Sequence, residues 1–191
     1  MNQNVMIVGV GGQGSLLASK MLGHVVMQAG YDVKVSEVHG MSQRGGSVVT
    51  YVRYSDETVW SPVINEGEAD IIISFELLEA ARWVGFLKKG GTLLVNDQKI
   101  APMPVIMGNA QYPEDIAEKL RELGVNLKIF DALHLAEEAG SAKAANVVLM
   151  GAVANAMDFP EEMWQKALEE CVPPKFLELN RKAFALGRAQ K

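Results

Sequence analysis

The chain has 191 residues, the size of a single domain at about 100–200 residues, so residues 1–191 are read as one domain with a substantial core. Hydrophobic residues at 49% and charged residues at 21%, with 18 Gly and 7 Pro, are ordinary globular usage and exclude disorder or collagen. Eighteen basic against 23 acidic residues leave a net charge of −5, no footprint for duplex nucleic acid or an anionic membrane, and the one cysteine excludes an internal disulfide or a four-thiolate cluster.

The N-terminus carries no basic stretch ahead of its apolar run, and no segment approaches the roughly 20 apolar residues of a membrane span, so a soluble cytoplasmic protein is expected. Val5–Val8 is a short apolar strand ended by glycines, and SLLASKMLGHVVMQAG then has helical spacing up to Gly30. A second extended segment, Val33–Val38, completes a βαβ start, which predicts two neighbouring parallel strands with a right-handed crossover. SVVTYVRY alternates with a period of two and SDET leads to Val59–Trp60, which predicts an antiparallel hairpin inserted in a mixed sheet.

From Asp70 the α/β rhythm resumes with the strand DIIISF, the helix LLEAARWVGFLKK stopped by Gly90 and Gly91, and the strand TLLVN. Lys99–Pro113 reads as a proline-rich loop with room for a brief extended piece at Val105–Met107. A helix at Glu114–Leu123, a strand at Asn126–Phe130 and a helix at Leu133–Ala139 follow. Three further helices, Ala144–Met157, Glu161–Cys171 and Lys175–Ala189, close the chain. The fold class expected is α/β: a three-layer, Rossmann-like mixed sheet with an inserted antiparallel hairpin and a helical C-terminal end.

Two motifs carry candidate chemistry. In GVGGQG, the residues Gly9, Gly11, Gly12, Gln13 and Gly14 join a strand directly to a helix, where backbone amides form a natural anion site. So many glycines are costly in regular structure, so the turn needs positive φ or a close backbone approach; a tight turn serving packing alone is the competing reading. Glu37 stands 23 positions after Gly14, near the spacing of about 20 at which a dinucleotide site places its acid. A stand-alone NAD(P)-binding oxidoreductase and a structural Rossmann-like interaction module therefore stay open. The second motif, SEVHGMSQRGGSV, combines the imidazole of His39, the guanidinium of Arg44, the polar Ser42, Gln43 and Ser47, and the hinge glycines Gly40, Gly45 and Gly46. Val38–Ser55 contains Arg44 and Arg53 but no acid, which makes it anion-friendly; a polar connector is the plainer account.

These segments resemble the 2-oxoacid:ferredoxin oxidoreductase family, specifically its small γ-type component and within it the indolepyruvate branch. The resemblance continues through DIIISFELLEAAR and ANVVLMGAVANA. It implies a reaction in which an arylpyruvate, CoA and oxidised ferredoxin give an arylacyl-CoA, carbon dioxide and reduced ferredoxin. It also implies that thiamine diphosphate, magnesium and iron–sulfur clusters sit in a large α subunit and that this chain, inactive alone, completes the site. No GDG-type thiamine signature occurs here. The expected partners are that subunit, ferredoxin through the complex, the 2-oxoacid and CoA as co-substrate; a homodimer of the isolated chain stays open. GVGGQG and Ser36–Val48 are carried over as family signature, and contact with CoA or the thiamine site is inferred from their anion-binding chemistry, with no catalytic residue assigned.

Weaker features remain. Glu76 and Asp97 follow predicted strands, where helix-capping or solvated carboxylates are the expectation. The ten methionines are expected to fill core, and His24 and His134 have no metal-ligand spacing with His39. Asp158–Glu170 is acidic and Lys175–Lys191 basic, which fits two helices with complementary faces or a basic arm for a partner.

Overall fold

The computed structural model describes residues 2–40 and 45–190. The element order is β1 (Asn2–Val10), α1 (Ser15–Gln28), β2 (Asp32–His39), β3 (Ser47–Ser55), β4 (Ala69–Ser74), α2 (Leu77–Trp83) and β5 (Leu87–Asn96). It continues with α3 (Met103–Ile106), α4 (Ile116–Glu122), β6 (Asn126–Phe130), α5 (Ala132–Ala139), α6 (Ala145–Val153), α7 (Glu161–Cys171) and α8 (Leu177–Arg188). The strands form one mixed sheet in the order β2-β3-β1-β4-β5-β6.

Alternation along the strands builds the three layers. Val5, Ile7, Val52, Ile71, Ile73 and Leu94 face α1 and the C-terminal helices, while Met6, Val8, Val49, Ile72, Leu93 and Val95 face α2 and α4. All of these are buried. Helix α6 is apolar nearly all round, buried from Asn146 to Val153, because it is enclosed by the sheet, α5 and α8.

The βαβ expectation fails in one respect: β1 and β2 are not neighbours. β3 lies between them, antiparallel to both, matching β1 residue for residue from Asn2↔Ser55 to Val10↔Ser47. The burial of Val49, Thr50, Val52 and Tyr54 demands a central strand, whereas β2, with exposed Lys34 and Glu37, suits an edge. The inserted hairpin is therefore β2–β3. Val59–Trp60 forms no strand: Val59 is buried and donates its amide to Asp32 Oδ2 at 2.8 Å, and Trp60 is 91% exposed.

Gly90 and Gly91 do not stop a helix. α2 ends at Trp83, a single 3-10 turn covers Val84–Phe86, and both glycines lie within β5, where the pairing with β4 slips in register. Gly90 takes φ 81°, and a Cβ on Gly91 would lie 2.9 Å from the Asp70 carbonyl oxygen. Val105–Met107 is not extended, since α3 occupies Met103–Ile106. The remaining differences are at helix ends: α4 and α8 start two residues later than expected, α5 starts one residue earlier, and α6 ends at Val153.

Candidate functional site

The glycine turn closes between Val10 and Ser15, with Gly12 and Gly14 in the left-handed region at φ 102° and 90°. A Cβ on Gly9 would sit 2.9 Å from Phe75 Cβ, and one on Gly14 would strike the Asn146 side-chain amide. Both requirements named for the turn are thus present, positive φ at Gly12, close approach at Gly9 and the two together at Gly14. Gln13 uses its amide as a clip: its Oε1 accepts the Val10 N–H at 2.7 Å, and its Nε2 donates to the Phe75 carbonyl at 3.0 Å. Gly11 joins the two motifs, because its N–H donates to Gly46 O at 2.9 Å and its carbonyl accepts the Gly45 N–H at 3.4 Å.

Two clefts share this turn. One, of about 380 Å³, is lined by Gly11, Gly12, Gly14, Ser15, Glu37 and His39. Glu37 Oε2 accepts the hydroxyls of Ser15 at 3.3 Å and Thr50 at 3.2 Å, and exposed His39 places Nδ1 3.0 Å from the Gly40 carbonyl. The other, of about 410 Å³, runs past the carboxyl ends of β1, β4 and β5 and is lined by Gly12–Gly14, Phe75, Asn96, Gln98 and Lys143. The helices after β1 and β4 pack on opposite faces of the sheet, so this crevice is the topological switch point at which open α/β sheets take ligands.

Lys143 was not among the residues singled out in the sequence. It has no carboxylate partner among the described residues and stands just ahead of α6. Asn146, in the first turn of α6, donates Nδ2–H to Gly14 O at 3.3 Å, which brings the start of α6 beside the glycine turn. The available signal was position: Lys143 immediately precedes ANVVLMGAVANA. Buried Glu79 was also missed, and it holds Ser47 at 2.5 Å through its Oε2.

Of the second motif, His39, Gly40, Gly45, Gly46 and Ser47 are placed as described, and Ser42, Gln43 and Arg44 lie outside the described residues. Glu76 caps α2 by accepting the Glu79 N–H, and its Oε2 accepts the Tyr112 hydroxyl at 3.1 Å. Burial pushes the Glu76 carboxyl above its ordinary value. Asp97 is solvent-exposed, as the plain reading expects. The acidic and basic C-terminal stretches face each other, with Arg181 paired to Glu169 at 2.5 Å and Arg188 to Glu161 at 3.5 Å. His24 pairs with Glu170 between α1 and α7, away from both clefts.

Among the described residues no group of three His, Cys, Asp or Glu side chains is placed to hold a metal ion. Cys171 is the sole cysteine, partly buried, with its thiol pushed up by that burial. This donor set does not fit a thiolate-held cluster, nor does it offer a carboxylate grouping for magnesium. No helix among the described residues is long and apolar enough to cross a membrane.

The sequence matches the family described as pyruvate ferredoxin/flavodoxin oxidoreductase over residues 4–190. It is 47% identical, over 96% of this chain and 93% of the relative, to the indolepyruvate oxidoreductase subunit IorB of Thermococcus kodakarensis. Identity to the subunit of the same name from Archaeoglobus fulgidus is 41%, over 100% of this chain and 96% of the relative. The fold superposes on the keto/oxoacid ferredoxin oxidoreductase γ subunit from Geobacter sulfurreducens with a TM-score of 0.71 and 26% identity, covering 97% of this chain and 95% of that one.

Proposed function

Because this chain belongs to the pyruvate ferredoxin/flavodoxin oxidoreductase family and is a subunit of a 2-oxoacid:ferredoxin oxidoreductase, we propose that it serves an enzyme acting on indolepyruvate or a similar arylpyruvate. The observation that carries this reading is the near-full-length likeness to indolepyruvate oxidoreductase subunits. In this reading the chain is inactive alone, and the large partner holds thiamine diphosphate, magnesium and the clusters. The single cysteine of the sequence supports that division for the clusters, since a thiolate-held cluster takes about four.

The part left to this chain is to bind and orient. Backbone amides at the glycine turn and the ammonium of Lys143 suit the phosphate oxygens of CoA at the switch crevice. Glu37 suits the neighbouring cleft, which shares Gly12 and Gly14 with the crevice, to the hydroxyl groups of the same CoA, as its contacts to Ser15 and Thr50 illustrate. His39 lines that cleft, Gly45 and Gly46 hydrogen-bond to Gly11 of its wall, and Gly40, Ser42, Gln43 and Arg44 of the same motif are proposed as further ligand-binding residues. These residues are proposed to complete the assembled site rather than to perform bond-making chemistry.

Co-expression with a large thiamine- and cluster-bearing subunit, followed by CoA-dependent ferredoxin reduction, tests the reading. Indolepyruvate should outperform pyruvate and 2-oxoglutarate, and this chain alone should reduce nothing. Preference for a non-aromatic oxoacid would overturn the substrate assignment, and full activity of the isolated chain would overturn the subunit role.

A further inference from the structure

A buried carboxylate outside the glycine turn controls how the two motifs meet. Glu79 is only 2% exposed, yet all its partners are donors: Ser47 Oγ at 2.5 Å and Trp83 Nε1 at 3.2 Å on Oε2, and Arg82 at 3.0 Å on Oε1. Burying a carboxylate is expensive unless it is fully paired, and a helix facing this apolar layer gains nothing from an acid for its own packing. The helix's capping is already supplied by Glu76. What Glu79 adds is a tie from α2 to Ser47, the first residue of β3, across 32 positions of sequence.

Ser47 is where that tie reaches the site. It pairs in register with Val10, the last residue of β1, and the two residues before it, Gly45 and Gly46, clasp Gly11 through reciprocal backbone hydrogen bonds. Val48, the next residue, lines the cleft of Gly11, Gly12 and His39. The chain of contacts therefore runs from Glu79 through Ser47 and Gly46 to Gly11.

We propose that Glu79 is the positioning residue of the glycine cleft, acting through the Ser47 hydroxyl to hold the end of the second motif against the glycine turn. The functional consequence rests on the reading that this cleft belongs to the assembled active site. Glu79 does not touch the ligand in this account; it sets where Gly11 and Gly45–Val48 stand.

The test uses Ser47→Ala and Ser47→Thr, because Glu79→Ala strips a buried site and is liable to unfold the chain. Ser47→Ala leaves Glu79 with Arg82 and Trp83. Amide hydrogen exchange is measured on the isolated chain, and steady-state kinetics on the complex reconstituted with the large subunit. In Ser47→Ala the Gly11 and Gly45 amides should exchange about tenfold faster, the fold-change for losing one hydrogen bond to a charged acceptor. The KM for CoA should rise by about tenfold while the KM for the oxoacid stays put, since misplacement of a binding wall weakens the ligand that touches it. Ser47→Thr, which keeps the hydroxyl, should restore both. Unchanged exchange in Ser47→Ala would overturn the tie itself. Faster exchange with unchanged kinetics would instead overturn the placement of this cleft in the active site, and with it the positioning role.

Discussion

Helices α6 and α8 touch backbone to backbone at two glycines, and adding one methyl group there tests the packing of the whole C-terminal layer. A Cβ on Gly187 would land on the Val148 carbonyl oxygen and 2.7 Å from its carbon, and one on Gly151 would land on the Phe184 carbonyl oxygen and 2.9 Å from the Arg188 nitrogen. The obstructing atoms are main chain, so no rotamer change relieves them. The helices must separate by about 1.5 Å to restore contacts near 3.5 Å, which opens gaps along the apolar seam of Val148, Ala152, Ala183 and Phe184. Overpacking of this kind costs about 1–3 kcal/mol or more, against which Ala returns up to about 1 kcal/mol of helix propensity. A net loss of about 2 kcal/mol is expected for Gly187→Ala, a fall in Tm of about 4–8 °C for a chain of this length.

Gly23, inside α1, is the control: a Cβ there meets nothing within 4 Å, so Gly23→Ala should raise Tm by about 2–4 °C. The double variant Gly151→Ala/Gly187→Ala should cost less than the two single changes together, because the separation forced by the first makes room for the second. Thermal melts followed by circular dichroism measure the four variants and the parent. A Gly187→Ala protein as stable as the parent, or one shifted upward like Gly23→Ala, would refute the close-contact argument.

Two further outcomes are expected. Burial raises the Glu76 carboxyl above its ordinary 4.5, so its favourable contribution is full below that pH and is lost as pH rises through the folded-state value. The Tm difference between Glu76→Gln and the parent should therefore climb in favour of the variant as the pH rises above 4.5, and a flat difference would contradict the burial effect. Lys143→Ala should leave Tm within about 2 °C, since it removes an exposed charge rather than core, and Arg44→Ala probes the second motif beside it. Each should raise the KM for CoA in the reconstituted complex, and an unchanged KM in the Lys143 variant would move the phosphate away from the switch crevice.

Local pattern was enough for much of this architecture. The alternation of Val5, Met6, Ile7 and Val8 assigns side chains to two faces whatever lies beside the strand, so a three-layer arrangement followed from the sequence. The glycine turn was legible for a similar reason: positive φ and a missing Cβ are properties of single residues, and GVGGQG sits directly between a strand and a helix. The acidic and basic helices were legible as partners because charge is also carried residue by residue.

Gly90 and Gly91 mark the limit of that local reading. Glycine both ends helices and bends strands, and only the pairing of β5 with β4 decides that here it does the second. Val105 shows the same ambiguity in an apolar run too short to have a period.

The sequence by itself determined the period of each strand, the place and backbone conformation of the glycine turn, and the supply of a single thiol, because each depends on residues adjacent in the chain. Only the tertiary structure decided that β3 inserts between β1 and β2, that Gly11 meets Gly45 and Gly46, that Lys143 opens onto the switch crevice, and that Glu79 holds Ser47. Those are choices among distant partners. A strand's pattern says which face is buried but not which neighbour takes its hydrogen bonds, and an acid's identity does not say which hydroxyl it will meet when both leave water.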